Sequence, residues 1–324
     1  MRAATVALIA ALVLPLAAAQ PDAETPLVQG FSTGGRFEFL APADRDRAYD
    51  DMKAVGAEWV RFDLKGDVID RCDGTYDFAQ YDDDVAAAQA RGIQILGVLA
   101  YTPPCQRPLG QDDKWGPDTA ERRESFAARA EAIARRYAGR IAAYEIWNEP
   151  NTGCCFWRPS SSPANYAALL KATYPRLKAA DPDVTVLAGA TAPVATSEVN
   201  HSEPDFLEAA YAAGAHGFFD AVSTHPYSRP AMPGEAQDWS GWYKMYGTSP
   251  SLRSIMEANG DGGKRLWGTE FGVESTYAGK RYQTDYIRQG YTLWKTYPWA
   301  GVLFTYTLRD EIGFAGDRYG LLSD

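Results

Sequence analysis

Short apolar runs and longer amphipathic runs alternate along this chain. Eight of the runs have the length of a strand and contain many β-branched and aromatic residues, bounded by polar residues, Gly or Pro. They cover residues 27–32, 57–63, 93–101, 142–148, 184–189, 220–225, 265–270 and 301–307. This pattern predicts eight β-strands.

The segments between these runs have apolar residues at helical spacing. Several begin at Ser, Thr or Asp and end near Gly or Pro, which are common helix boundaries. The clearest examples are residues 43–56, 81–92, 119–139, 162–182 and 283–298. Alternating strands and helices are typical of parallel strands joined by crossover helices.

Eight such units fit a closed (β/α)₈ TIM barrel, an α/β fold, better than an open doubly wound sheet. No G-x-G-x-x-G phosphate loop follows the first strand, as it would in a nucleotide-binding sheet. No linker or change in composition divides residues 20–324, so we predict a single domain. Only residues 308–324 follow the eighth strand, too few for a full last helix. We expect truncation there; the alternative is that another segment covers that side.

The first 19 residues resemble an export signal. One Arg precedes an apolar run from Ala3 to Leu16, and three Ala residues precede Gln20, where cleavage is expected. The alternative is a membrane anchor, but the run is shorter than the roughly 20 residues that span a bilayer. We therefore predict a secreted, periplasmic or cell-envelope protein with no membrane span after cleavage.

The charge of the chain excludes several classes of partner. A net charge of −10 disfavours binding to nucleic acid and anionic membranes, so a neutral ligand is expected. The three His residues form no Cys/His cluster with metal-ligand spacing, and we expect neither metal nor cofactor. The sequence does not define the oligomeric state.

Export would allow Cys72, Cys105, Cys154 and Cys155 to form disulfides, and the sequence leaves all three pairings open. On the barrel, Cys105 and the adjacent Cys154 and Cys155 lie in loops at the same end. We expect a bridge between those two loops; the alternative is buried free thiols.

Two carboxylates stand at the ends of predicted strands. Glu149 closes the fourth strand and Glu270 closes the seventh. The active site of a (β/α)₈ barrel lies at the carboxyl ends of the strands, so both side chains are expected across one pocket. A pair of carboxylates is the requirement for glycoside hydrolysis, whereas a single Glu at a strand end is as often a salt bridge or a helix cap.

The motifs "YEIWNEPN", "THPY" and "WGTEFG" resemble those of the clan A retaining glycoside hydrolases over nearly the whole mature chain. Within that clan, the run from "RYAGRIAAYEIWNEPN" through "NYAALLKATYPRLKAADP" is most similar to glycoside hydrolase family 39 and its bacterial exopolysaccharide-cleaving relatives. The H-x-Y motif is similar to that of the family 5 cellulases.

The resemblance implies a role for several residues. Glu149 would be the general acid/base and Glu270 the nucleophile, and Asn148 would hydrogen-bond the 2-hydroxyl of the sugar. His225 and Tyr227 would line the site, with Tyr227 donating a hydrogen bond to the nucleophile. Arg61 would lie beside the nucleophile.

Simple electrostatics agrees with this division of roles. An Arg and a hydroxyl near Glu270 favour its ionised form, while repulsion from Glu270 and an apolar wall at Trp147 should keep Glu149 protonated. Trp147 is also a candidate substrate contact. Each accessory residue has an alternative role: His225 as a core residue, Arg61 as the partner of Asp63 or Glu145, and Trp147 as packing.

Aromatic residues are candidates for stacking on sugar rings. The clan often has a Trp at the end of strand eight, where this chain has only Phe304 and Tyr306; either could replace it as a stacking platform, and the alternative is a site without that floor. Other candidate rings lie in loops: Tyr101, Trp115, Phe156, Trp157, Trp239, Trp242 and Tyr243. The alternative for each ring is loop packing. The long segment 228–249 is a candidate lid or cleft wall.

The sequence therefore predicts a hydrolase, a retaining glycosidase of polysaccharide degradation that acts on a β-linked oligo- or polysaccharide. The alternatives are a family 5-like endoglucanase and a catalytically silent carbohydrate-binding barrel.

Overall fold

A computed structural model describes residues 28–34, 37–310 and 318–322 of the chain. The predicted export signal lies outside these residues. No helix among them is both long enough and apolar enough to cross a membrane.

Eight parallel strands pair in chain order, and the last pairs with the first to close a barrel. The strands are β1 (Gln29–Ser32), β2 (Trp59–Lys65), β3 (Gln94–Ala100), β4 (Ala143–Ile146), β5 (Thr185–Thr191), β6 (Ala221–Thr224), β7 (Leu266–Phe271) and β8 (Ala300–Tyr306). Each overlaps a run predicted from the sequence, with ends that differ by up to two residues. The (β/α)₈ barrel is therefore confirmed.

The five predicted helices are also present. The helices of the described segments are α1 (Pro42–Ala54), α2 (Gly66–Ile69), α3 (Ala79–Ala90), α4 (Ala120–Arg136), α5 (Pro163–Ala180), α6 (Glu203–Ala212), α7 (Gly241–Lys244), α8 (Leu252–Ala258) and α9 (Ser275–Trp294). Side-chain oxygens of Thr119, Ser162 and Ser202 accept from the first turns of α4, α5 and α6, which explains where these helices begin.

Alternate residues of each strand face two cores. One lies between the strands and the helices, and the other fills the barrel with Trp59, Leu96, Ala143, Leu187, Ala221, Trp267, Val302 and Phe304. Gly301 gives room to this interior, because a Cβ there would come within 2.3 Å of the Trp267 ring. Phe304 is fully buried in this layer. The expectation that Phe304 forms a sugar platform is therefore wrong.

The interior layer sets the position of the site. On β2, Trp59 fills the barrel, and Arg61, the next residue on the same face, emerges above this layer. Glu149, His225 and Glu270 follow or end their own strands at the same carboxyl end. The barrel thus gathers polar residues that are distant in sequence at one mouth.

The expected bridge between the loops of Cys105 and Cys154/Cys155 is wrong. Cys72 pairs with Cys105, and Cys154 pairs with its neighbour Cys155. Gln106 donates to Asp70 over 2.9 Å, which holds the loops after α2 and β3 side by side. Cys72 is therefore the nearer partner, with 5.7 Å between the two Cα atoms.

Tyr166 of α5 ties a helix to two strands, and its loss should lower stability. Its hydroxyl donates to the carbonyl of Ile146 over 2.9 Å and accepts from the amide of Gly189 over 2.6 Å in a buried setting. Tyr166→Phe leaves both backbone groups without a partner, so we expect a loss of about 2 kcal/mol in the free energy of unfolding. Denaturant unfolding followed by circular dichroism measures this loss.

The matched control is Tyr277→Phe, since Tyr277 is 44% exposed. This change should leave the free energy of unfolding within about 0.5 kcal/mol of the unmodified protein. Equal effects of the two substitutions would show that the Tyr166 hydroxyl does not anchor the helix.

Candidate active site

Glu149 and Glu270 lie together at the carboxyl end of the barrel. Their side chains keep 15% and 16% of their surface exposed. One carboxylate oxygen from each, together with Nδ1 of His225, lies within 4.8 Å of the others. The two acidic groups predicted from strand ends therefore share one pocket.

An unusual backbone turn places Glu149 at this pocket. Trp147 and Glu149 have φ angles of 70° and 47°, in the left-handed region that side chains other than Gly rarely adopt. The amide of Glu149 donates to the carbonyl of Ala190 on β5 over 2.8 Å, and its carbonyl accepts from the amide of Thr152 over 3.0 Å. Such strain persists only where surrounding contacts enforce it, and it is concentrated at functional sites.

The residues after Glu149 hold the turn in place. Asn151 donates to the carbonyls of Ala192 and His201 over 2.8 and 2.9 Å, and its own oxygen accepts from the amide of Ala192 over 2.9 Å. The loop after β4 is thereby bound to the end of β5. Pro150, which follows Glu149, thus belongs to a fixed corner beyond the end of β4.

Arg61 is the centre of the polar network. It is 3% exposed, and its guanidinium donates to Glu145 over 2.8 Å, to Glu270 over 2.7 Å and to Asn148 over 2.7 Å. A fourth bond, of 3.0 Å, reaches the hydroxyl of Ser32. Arg61 is therefore at the same time a neighbour of Glu270 and the partner of Glu145, two positions that the sequence offers as alternatives.

Glu270 is held in its ionised form. Burial alone would raise its pKa, but the charges of His225 and Arg61 and hydrogen bonds from Tyr227 and Arg61 outweigh burial and lower the pKa from its usual 4.5. The Tyr227 hydroxyl donates to Oε2 over 3.0 Å, while Arg61 donates to Oε1. Both oxygens are thus fixed from different sides.

His225 lies between the two carboxylates. Nδ1 is hydrogen-bonded to Oε1 of Glu149 at 2.9 Å and lies 3.6 Å from Oε2 of Glu270. Burial would lower the pKa of this imidazole, but the charge of Glu270 and the hydrogen bond and charge of Glu149 raise it. Nε2 has no partner in the described part of the chain, so the ring acts on the site through Nδ1.

Asn148 is oriented by Arg61. Its Oδ1 accepts from Nη2 of the guanidinium, and this contact turns the amide nitrogen away from Arg61. The side chain is 6% exposed at the floor of the pocket. An amide fixed in this way can donate to an oxygen of a bound molecule.

Burial revises two of the predicted substrate contacts. Trp147 and Trp157 are 0% and 1% exposed, and their rings pack 5.2 Å apart. Trp147 also contacts Tyr101 and donates its indole N–H to the carbonyl of Phe156. Neither indole has a face open to solvent, so both are packing residues behind the loop after β4.

Other predicted rings are more open. Trp115 is half-buried in the loop between β3 and α4, where its N–H donates to Asp118 over 3.1 Å. Tyr306 is half-buried at the end of β8 and packs 5.3 Å from Tyr319, which in turn contacts Tyr227. Tyr306 thus belongs to the wall that carries the donor to Glu270.

The predicted cleft wall between β6 and α8 is only partly open. Trp242 is fully buried against Phe271 and Trp294, whereas Trp239 is 46% exposed. The expectation of a sugar contact is therefore wrong for Trp242, because its ring fills the core between α9 and the barrel.

The structure adds pocket residues that no motif indicated. Tyr319 comes from the segment after β8, and Lys114 from the loop after β3. The sequence indicates Asp63 only as an alternative partner of Arg61, yet no ion pair joins them within the described residues. The alternation of side chains along β2 predicts a place in the pocket for Asp63, because it puts Asp63 on the same face as Arg61.

In the part of the chain that the structure describes, two clusters have atoms that a cation could bind. The first cluster is Glu149, His225 and Glu270. Arg61 already donates to the Glu270 carboxylate, and its positive charge opposes the binding of a cation beside it. In Asp70, Cys72 and Cys105, the two sulfurs are joined in a disulfide and supply no thiolate. Neither cluster favours a metal site.

No protein-family model and no curated protein matches the chain. Solved structures do match it. A family 39 glycoside hydrolase from the gut symbiont Bacteroides cellulosilyticus WH2 has a TM-score of 0.72 and 24% identity, over 93% of this chain and 60% of that one. A monomeric β-xylosidase from Caulobacter crescentus CB15 has a TM-score of 0.67 and 21% identity, over 92% and 64%.

An endo-1,4-β-mannanase from Rhizomucor miehei has a TM-score of 0.61 and 17% identity, over 92% of this chain and 90% of that one. The chain thus spans less than two thirds of the two proteins above and most of the mannanase. The similarity to family 39 structures that the motifs indicated is confirmed at the level of the fold. The chain shares the (β/α)₈ barrel of these glycoside hydrolases.

Proposed function

We propose that this protein is a retaining glycoside hydrolase that cleaves a β-linked oligo- or polysaccharide. The observation that carries the proposal is the pairing of Glu149 with Glu270 across the barrel mouth, with oxygens within 4.8 Å. Retaining enzymes have carboxyl groups about 5 to 5.5 Å apart, whereas inverting enzymes need roughly 6.5 to 9.5 Å. The short separation favours direct attack by one carboxylate.

In the first step, Glu270 attacks the anomeric carbon. Its lowered pKa keeps it ionised, and Arg61 and Tyr227 aim its two oxygens. As the new C–O bond forms, the bond to the leaving oxygen breaks and Glu149 gives that oxygen its proton. The sugar is left as an ester of Glu270.

In the second step, water attacks the same carbon from the side of Glu149. Glu149 takes a proton from the water while the ester bond to Glu270 breaks, so the free carboxylate returns. Two displacements at one carbon restore its configuration. Asn148 donates to the 2-hydroxyl, a contact that strengthens in the oxocarbenium-like transition state.

Export and substrate class are part of the same proposal. The two disulfides support a secreted or cell-envelope location, because such bonds persist in oxidising compartments. The aromatic rings at the mouth and the acidic chain favour a neutral carbohydrate. Mass spectrometry of products from bacterial and plant polysaccharides, beside a panel of aryl β-glycosides, tests the activity and identifies the sugar.

Replacing the nucleophile should abolish turnover. Glu270→Gln cannot form the ester, so we expect kcat on an activated aryl glycoside to fall by at least roughly 10⁴-fold. Azide should rescue Glu270→Ala and give a product of inverted configuration, which nuclear magnetic resonance identifies.

Glu257→Gln is the matched control, since its side chain is 61% exposed on α8. It should keep the full rate. A Glu270→Gln protein that is folded and near-normal in rate would rule out the assigned nucleophile, and a binding-only barrel would show no turnover in any form.

Replacing Glu149 should affect the two steps differently. With a good leaving group, Glu149→Ala needs no acid for the first step but lacks the base for the second, so we expect kcat to fall by roughly 10²- to 10⁴-fold. With a poor leaving group the first step fails as well. Azide should accelerate this variant and give a product of retained configuration; an inverted product would contradict the role of Glu149.

The acid side of the pH profile should depend on Tyr227. Activity requires ionised Glu270, so it is lost as pH falls through the pKa of that group. Tyr227→Phe removes a hydrogen bond that lowers this pKa. We expect the acid limb of kcat/KM to move to higher pH while the alkaline limb stays. An unmoved acid limb would mean that the hydroxyl does not stabilise the nucleophile.

A further inference from the structure

Asp63 lies on the pocket face of β2. Along this strand Phe62 and Leu64 enter the core between the barrel and the helices. Arg61 points to the opposite side and bonds Glu270. Asp63, two residues beyond Arg61, shares that side and lies one step nearer the mouth.

The carboxylate of Asp63 lacks a hydrogen-bond partner within the described residues, unlike Glu145, Glu149 and Glu270 in the same pocket. Burial raises its pKa, although the charges of Arg61, Lys65 and Lys114 lower it. Asp63 is half-buried, so its carboxylate is open to the pocket. An unpaired acceptor beside a nucleophile is an incomplete site that a ligand can fill.

Lys114 supplies a cationic donor at the end of β3, the strand that pairs with β2, because its ammonium lies over Tyr101. Its ammonium lies 3.2 Å from the centroid of the buried Tyr101 ring and 3.2 Å from Oδ2 of Asp113, and the side chain is 23% exposed. Lys114 and Asp63 attract each other electrostatically. No direct ion pair joins them in the described segments, so a gap separates donor from acceptor.

We propose that Asp63 and Lys114 together bind two neighbouring hydroxyls of the sugar that becomes attached to Glu270. One hydroxyl donates to the carboxylate of Asp63, and the adjacent oxygen accepts from the ammonium of Lys114. Such charge-assisted bonds are short and strong. The inference rests on the proposed function and adds to it a device for choosing the sugar.

The hydroxyls in question are those on carbons 3 and 4. Asn148 is assigned to the 2-hydroxyl. Arg61, two residues before Asp63 on the same face of β2, bonds Glu270, which places Asp63 beside the sugar under attack. A site built to bond a hydroxyl discriminates strongly against an analogue that lacks it, because its own polar groups are then left unpaired.

The test compares the aryl glycoside that the unmodified protein cleaves fastest with its 2-deoxy, 3-deoxy and 4-deoxy analogues. Each is assayed with the unmodified protein, Asp63→Ala and Lys114→Met. In the unmodified protein, deleting the 3- or 4-hydroxyl should lower kcat/KM by roughly 10- to 100-fold. In Asp63→Ala that penalty should shrink to about 3-fold or less, because the partner is gone.

The 2-deoxy analogue is the internal control, and its penalty should be the same in Asp63→Ala as in the unmodified protein. Lys114→Met, which keeps a side chain of similar length but removes the ammonium, should reduce the penalty at the second hydroxyl. Should Asp63→Ala fail to fold, Asp63→Asn gives the same comparison with a weakened acceptor.

If deleting the 3- or the 4-hydroxyl lowers kcat/KM by the same factor in the variants as in the unmodified protein, the inference is overturned and the hydrolase proposal stays intact. Failure of the folded, unmodified protein to cleave any aryl glycoside or polysaccharide would instead overturn the proposed function, and the sugar-binding role with it.

Discussion

The buried guanidinium of Arg61 is the interaction on which the pocket depends. It bonds groups from β1, β4, the turn after β4 and β7, so one side chain sets the relative positions of four segments. Burial opposes its charge, but Glu145, Glu270 and Asp63 reverse this effect and raise its pKa, so it stays cationic. A Lys could not replace it, because only the planar fork of Arg offers donors in several fixed directions.

The two central carboxylates are held in different ways. Glu270 has both oxygens fixed by side-chain donors, from Arg61 and Tyr227. Among the described residues Glu149 has one side-chain hydrogen bond, to His225, while its backbone is fixed to β5 through Ala190. In the proposed mechanism, a fixed carboxylate suits Glu270, which attacks along a single direction. A freer carboxyl suits Glu149, which first gives a proton to the leaving oxygen and then takes one from water.

Much of this arrangement could be predicted from the sequence. All eight strands are visible as apolar runs, and strand order alone places Glu149 and Glu270 at one end of the barrel. Which side chains bond each other across the barrel is harder to predict, because this depends on how far each side chain reaches. Arg61 illustrates this: the sequence offers both Asp63 and Glu145 as its partners, and only the fold shows that the ion pair is with Glu145.

Ring orientation was the least predictable feature. Trp157 and Trp242 are aromatic residues of the kind that line clefts, but their rings fill the core, because side chains of neighbouring helices pack against them. The disulfide partner of Cys105 was missed for a similar reason: the short helix α2 turns the chain back and brings Cys72 close.

The bond between Cys72 and Cys105 ties the loop that follows β2 to the loop that leads to Lys114. Protein made in a thiol-rich cytoplasm would lack this covalent tie, and the loop would be held only by weaker contacts such as that between Gln106 and Asp70. Recombinant material should therefore be prepared in the periplasm or in an oxidising host strain before its sugar preference is compared with that of other barrels.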